Sequence, residues 1–193
     1  MTKTLLVTGG TGFIGRNIVE HFGKIITVLA PTHRQLDLLS QENVKNYFQE
    51  HEIDYVIHCA NIGGSRKDAR VQDILQTNIR MYLNLSKNSH RFKRLINFGS
   101  GAEYDKRRSL SRVKEIEHGD SIPMDDYGFS KFIISNCLET YDNHVCLRLF
   151  GVFGKYEDVE TRFISNTILK NILGLPININ QNVVFDYLTS TTL

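Results

Sequence analysis

Tyr127-Gly128-Phe129-Ser130-Lys131 places a phenol and an ammonium four residues apart in a segment of helical periodicity, so both side chains share one face. A tyrosine acts as a base near neutral pH only where its phenolate is favoured, and a neighbouring ammonium favours it. The spacing alone also fits a solvated helix face; a third group gives it weight. Ser100, in Asn97-Phe98-Gly99-Ser100-Gly101-Ala102-Glu103-Tyr104, follows the fourth apolar, β-rich run of the chain. That is the carboxyl edge of an open α/β sheet, where ligands bind. There its hydroxyl can hold a substrate oxygen while Tyr127 moves the proton.

A second motif points to a dinucleotide. Gly9-Gly10-Thr11-Gly12-Phe13-Ile14-Gly15 follows the first strand directly and opens the first helix. Its glycines let the backbone approach a pyrophosphate at a helix N-terminus. The spacing is G-x-x-G-x-x-G, one residue longer than the usual dinucleotide turn. A site for NAD usually carries an acid near the end of the second strand, and Leu29-Ala30-Pro31-Thr32 has none. His33 and Arg34 come next and suit a 2′-phosphate, which favours NADP over NAD while leaving both open.

The elements that must position these residues are legible as a pattern. Apolar β-rich runs at Thr4 to Thr8, Ile25 to Ala30, Tyr55 to Cys59, Leu95 to Phe98 and Val145 to Leu149 alternate with helical segments. The helices are expected at Phe13 to Phe22, Gln41 to Glu50 (opened by Ser40 as N-cap), Val71 to His90 and Tyr127 to Tyr141. This predicts an α/β fold, a Rossmann-type doubly wound parallel sheet with helices on both faces. Residues 1–154 would form the dinucleotide-binding domain with the catalytic residues, and 155–193 the start of a small substrate lobe. The charged stretch between Tyr104 and Tyr127 reads as a surface loop bordering the active site.

Composition excludes several classes. The chain has 193 residues, 41% of them hydrophobic, enough for one well-buried domain. A net charge of +2 without a basic run argues against nucleic acid. Cys59, Cys137 and Cys146 lack metal-ligand spacing and read as reduced core thiols, and no metal site is expected. No segment looks like a signal peptide or a membrane span, so a soluble, cytoplasmic protein is expected.

In this order, the glycine turn, the serine and the Y-x-x-x-K resemble the extended short-chain dehydrogenase/reductase family, also called the NAD-dependent epimerase/dehydratase family, from Thr4 to Leu188. The resemblance implies catalytic roles for Ser100, Tyr127 and Lys131, the lysine also holding the nicotinamide ribose. It implies cofactor contacts at Gly9, Gly12, Phe13, Ile14 and Gly15, at Asp37 and Leu38 for the adenine, and at Cys59 and Ala60 in Val56-Ile57-His58-Cys59-Ala60. Asn78 matches the long-helix asparagine, whose bland reading is a bridge to backbone through water, and Phe150 lies in the segment Arg148 to Gly154. His58 reads as a satisfied core residue. The implied substrate is a nucleotide sugar, with hydride chemistry by an epimerase or keto-sugar reductase. A dehydratase is disfavoured, since Gly101 and Ala102 stand where that branch has its acid pair. Gly151 replaces an asparagine that many epimerases direct at the nucleotide diphosphate. A non-enzymatic cofactor-binding sensor is the contrasting reading. Family members also suggest a homodimer, formed by Val71 to His90 and Tyr127 to Tyr141 of each subunit as a four-helix bundle.

The family commonly continues for roughly another hundred residues beyond this point. It reads similarly to D-Y-L-Y-I-D-D-L where this chain has Asp186-Tyr187-Leu188-Thr189-Ser190-Thr191-Thr192-Leu193. Removing one base from codons for Tyr-Ile-Asp-Asp-Leu generates Thr-Ser-Thr-Thr, so a single-base deletion is the expected origin of this terminus, and sequencing the gene tests it. The substrate lobe would then be incomplete, with apolar surface exposed, and the chain would bind cofactor with weak or no sugar turnover.

Overall fold

The computed structural model describes residues 3–64, 71–179, 181–182 and 185–191. Five parallel strands form one sheet in the order β2-β1-β3-β4-β5: β1 (Thr4–Thr8), β2 (Thr27–Leu29), β3 (Tyr55–His58), β4 (Arg94–Ser100) and β5 (His144–Leu149). Helices α1 (Phe13–Phe22), α2 (Gln41–Glu50), α3 (Ile74–Ser86) and α4 (Asp126–Leu138) connect successive strands. The chain leaves β1 for β2 on one side and returns past it to β3 on the other. The carboxyl ends of β1 and β3 thus flank the topological switch point, where open sheets of this kind bind ligands.

Both faces of the sheet are covered. Ile18 of α1 packs with Leu5, Val7, Ile57 and Phe98 on one face. Val44 and Phe48 of α2, Met81, Tyr82 and Leu85 of α3 and Ile134 and Leu138 of α4 pack with Leu6, Val56 and Leu95 on the other. Strands buried on both faces need near-continuous apolar runs, and β1 and β3 have them.

Element centres match the sequence pattern, and several ends shift for local reasons. β2 is confined to Thr27–Leu29 because only those residues reach β1. α3 begins at Ile74, after Asp73 with φ 59°, and gives way to a 3-10 turn at Ser89–Arg91. α4 opens at Asp126 because the Asp125 side chain accepts the Gly128 N–H, and it ends at Leu138. Ser40 caps α2 as expected, accepting from Asn43 N at 3.2 Å.

Beyond the main sheet, β6 (Val152–Phe153) pairs in parallel with β7 (Leu188–Thr189), and between them α5 (Phe163–Ile172) forms where the sequence pattern gave no helix. None of α5 is fully buried, and Phe163, Ile168 and Ile172 are exposed. The stretch after Tyr104 is held by its own charges. Asp105 accepts from the backbone N–H and the guanidinium of Arg107 and from the Ser121 hydroxyl, and Arg108 lies near Glu117 and Asp120. No helix of the described residues is long and apolar enough to cross a membrane.

Candidate active site

The glycine turn is built as its spacing requires. Gly9 has φ +67°, and a Cβ there would lie 2.6 Å from the backbone nitrogen of Ala60. The Gly12 N–H donates to Gly9 O at 3.0 Å, and a side chain on Gly15 would collide with that same carbonyl. Gly12 is the N-cap of α1 and has no side chain to satisfy the helix's first N–H groups, with Phe13 and Ile14 half-buried in the first turn. An anion fits such an end.

Beside this turn a cleft of about 310 Å³ runs between the ends of β1 and β3, lined in part by Gly9, His33, Asp37, Leu38 and Ala60. Its apolar walls include Leu36, Ile62 and Met81, and Thr8, Thr32 and Thr77 add hydroxyls. The sequence reading had not assigned these residues. The lining suits a dinucleotide, with apolar side chains and hydroxyls beside the turn that leads into the unsatisfied N-terminus of α1, although Gly12, Phe13, Ile14 and Gly15 do not themselves line it. His33 Nε2 lies 3.5 Å from Asp37 Oδ1, whereas Arg34 is exposed and does not line this cleft. Asp37 also accepts the Leu39 N–H at 2.9 Å, which fixes the loop under the cleft. Cys59, expected at the cofactor, does not line this cleft, and burial pushes its thiol up to about 12, which makes it inert.

Ser100, Tyr127 and Lys131 meet at the carboxyl end of β4. The Ser100 hydroxyl accepts the Ala102 N–H at 3.1 Å, which leaves its own proton free to donate. It stands close enough to the Tyr127 phenol to lower that group's pKa. Lys131 is buried, donates to Phe98 O at 2.9 Å, and its Nζ is 5.9 Å from the centre of the Tyr127 ring. The expected depression of the tyrosine is not what the chain shows by itself. Burial is the largest influence on Tyr127 and raises its pKa, Ser100 opposing it, so the phenol is protonated at neutral pH. Burial also pulls the Lys131 ammonium below the usual lysine value, with Glu103 opposing.

The loop after β3 covers this group. Asn78 on α3 holds both polar groups of Ile62, accepting its N–H at 2.9 Å and donating to its carbonyl at 2.9 Å. Asn78 therefore bridges backbone directly and does not line the cleft. Gly63 and Gly64 follow with φ +82° and +84°, and a Cβ on Gly64 would sit 2.8 Å from Cζ of Tyr127. Arg162, from the N-cap of α5, donates to Gly64 O at 3.2 Å and is near enough to favour the Tyr127 phenolate. On the other side of Ser100, Phe150 packs over Gly101, where a Cβ would come within 2.6 Å of its ring. Gly151 is equally confined, with a Cβ there 2.7 Å from the Phe185 ring. No cluster of histidine, cysteine and acidic side chains suited to a metal ion occurs among the described residues.

Residues 5–189 match the NAD dependent epimerase/dehydratase family. A GDP-L-colitose synthase of Yersinia pseudotuberculosis is 23% identical over 89% of this chain and 61% of its own length. A GDP-L-fucose synthase of Azorhizobium caulinodans is 35% identical over 53% of this chain and 34% of its own. Among solved structures, a GDP-mannoheptose C4 reductase from Campylobacter jejuni with NADP bound superposes with a TM-score of 0.74. It shares 25% identity over 82% of this chain and 55% of that one. The chain thus spans about three fifths of the first of these relatives.

Proposed function

Because the chain belongs to the NAD-dependent epimerase/dehydratase family, we propose that it binds NADP or NAD in the cleft beside the glycine turn and exchanges hydride with a carbon of a nucleotide-linked sugar. The observation that carries this reading is the convergence of Ser100, Tyr127 and buried Lys131 at the end of β4, under a loop whose Ile62 lines the cleft and whose Gly64 abuts Tyr127. The cofactor, when bound, supplies or accepts the hydride. Ser100 donates its free proton to the sugar oxygen and polarises the carbonyl. Tyr127, protonated at neutral pH, delivers the proton that completes the alcohol. Lys131, buried and anchored on Phe98 O, would hold the nicotinamide ribose. Gly101 and Ala102 offer no acid, so loss of a hydroxyl from the sugar would lack its proton donor.

A protonated phenol suits ketone reduction, which makes the keto-sugar reductase the leading form of the proposal and the epimerase, which also needs the phenolate, the second. GDP-linked keto sugars are the first substrates to try, given the relatives. The test mixes excess protein with NADPH and a GDP-linked 4-keto sugar and follows loss of NADPH absorbance. We expect slow but measurable oxidation that Tyr127→Phe lowers by about 10²–10⁴-fold while leaving NADPH binding intact. NADPH oxidation that Tyr127→Phe leaves unchanged overturns this reading.

A further inference from the structure

Next to Ser100 lies a carboxylate that the proposed reaction does not use. Glu103 is fully buried. Its Oε1 accepts the Ser100 backbone N–H at 2.7 Å, and its Oε2 accepts Arg148 Nε–H at 2.9 Å. Arg148 then donates through Nη2 to Ser135 Oγ at 2.6 Å, one helical turn past Lys131 on α4. One chain of bonds thus links the serine loop, strand β5 and the helix that carries Tyr127 and Lys131. Gly99 makes room for it, since a side chain there would strike the Glu103 carboxylate.

A buried ion pair is costly to desolvate, and apolar residues of similar volume usually serve stability as well or better. This pair also does something a hydrophobic pair cannot. With Ser100 as N-cap and Glu103 three residues on, the two form a reciprocal capping box. The box fixes the Ser100 backbone from one side while Ala102 N fixes the hydroxyl from the other, so the free proton has few directions left. We propose that Glu103 and Arg148 are positioning residues, holding the Ser100 hydroxyl in register with Tyr127 by tying the serine turn to α4. The proposal rests on the reading of Ser100 and Tyr127 as the reacting groups.

The test reads the Tyr127 phenol and needs no sugar. In the full chain, 3,5-difluorotyrosine replaces Tyr127, which brings the ionisation down into an accessible pH range, and fluorine NMR follows the titration. The groups acting on this phenol are Ser100 and Glu103 from the serine turn, Asp125 and Lys131 around and on α4, and Arg162 from α5. Ser100→Ala removes the hydroxyl that stabilises the phenolate and should lower the ionisation constant about tenfold. The same substitution is then made in two backgrounds. Glu103→Asp keeps the charge and loses the reach; Glu103→Leu with Arg148→Met removes both members of the ion pair together, so neither is left buried without the other. In each background Ser100→Ala should move the constant less than twofold, because the hydroxyl has already lost its register. Glu103's own charge cancels in each comparison. A full tenfold effect of Ser100→Ala in both backgrounds, or no effect of it in the unsubstituted chain, overturns the proposal. Failure of the functional reading shows separately, as NADPH oxidation that Tyr127→Phe leaves unchanged while this coupling stands.

Discussion

Tyr127 is crowded from above by residues that have no side chain. Gly64 at φ +84° lies where a Cβ would be 2.8 Å from Cζ and 3.1 Å from the phenol oxygen. Alanine there would strain the backbone and push the ring aside. A misplacement of an ångström or so at a reacting group can cost about a hundredfold in rate. Gly64→Ala should therefore lower hydride transfer by about 10–100-fold and leave cofactor affinity within about twofold, because Gly64 does not line the cleft. Gly9→Ala should do the reverse and weaken cofactor binding first, since its Cβ would meet the backbone of Ala60 inside the cleft wall. Single-turnover rates set beside cofactor titrations separate the two. Equal losses in both quantities for Gly64→Ala would refute this division of roles.

Among the elements, the join between β3 and α3 carries the cover. Asn78 satisfies the N–H and the carbonyl of Ile62 at once and touches Ser130 Oγ at 3.3 Å, so α3 clamps the loop against α4. Asn78→Leu would bury two unpaired backbone groups, each costing about 1–3 kcal/mol. We expect a clear fall in unfolding temperature and faster amide exchange at Ile62; unchanged exchange there would show that the loop is held by something else. This clamp also marks the limit of what the amino-acid order could reveal. The glycine turn, the Y-x-x-x-K and the strand centres were readable because their meaning is local or periodic. Asn78 was recognisable as a position, but its partner is a backbone sixteen residues away, which no spacing rule reaches. Glu103 did leave a trace, three residues after the N-cap serine, yet its burial and its link to Arg148 arise only when β4 and β5 pair. Helix α5 stayed hidden for another reason. Its apolar residues lie largely exposed, so its pattern has no buried face to explain.

Taken whole, the molecule holds three histidines among its described residues below their ordinary value by burial: His118 beside Glu103 and, deeper in the sheet, His58 and His144. His58 lies between β1 and β3, its Nδ1 2.7 Å from Thr8 Oγ1, and His144 begins β5 with Nδ1 3.0 Å from the Tyr82 hydroxyl. Burial, helped by the Lys131 ammonium, brings His58 down to about 3, and burial alone brings His144 to about 4. On unfolding, both return to the ordinary histidine value of 6.5. Below that pH the unfolded chain takes up protons that the folded chain refuses. Stability is thus fully present above about 6.5 and drains as the pH falls, through His58 and His144 down to about 4 and through His58 towards about 3, with His118 acting in the same direction. The slope is about 1.4 kcal/mol per pH unit for each histidine. Paired carboxylates act in the same direction, but their unfolded values are 3.8 for Asp105 and 4.5 for Glu20, so the window between about 5 and 6.5 belongs to the histidines. Denaturant unfolding across that window should show a falling midpoint. His58→Gln, which keeps an amide near Thr8 without a titrating group, should remove roughly a third to a half of the slope, His144 and His118 carrying the rest; a slope left unchanged would mean that His58 is protonated in the folded chain.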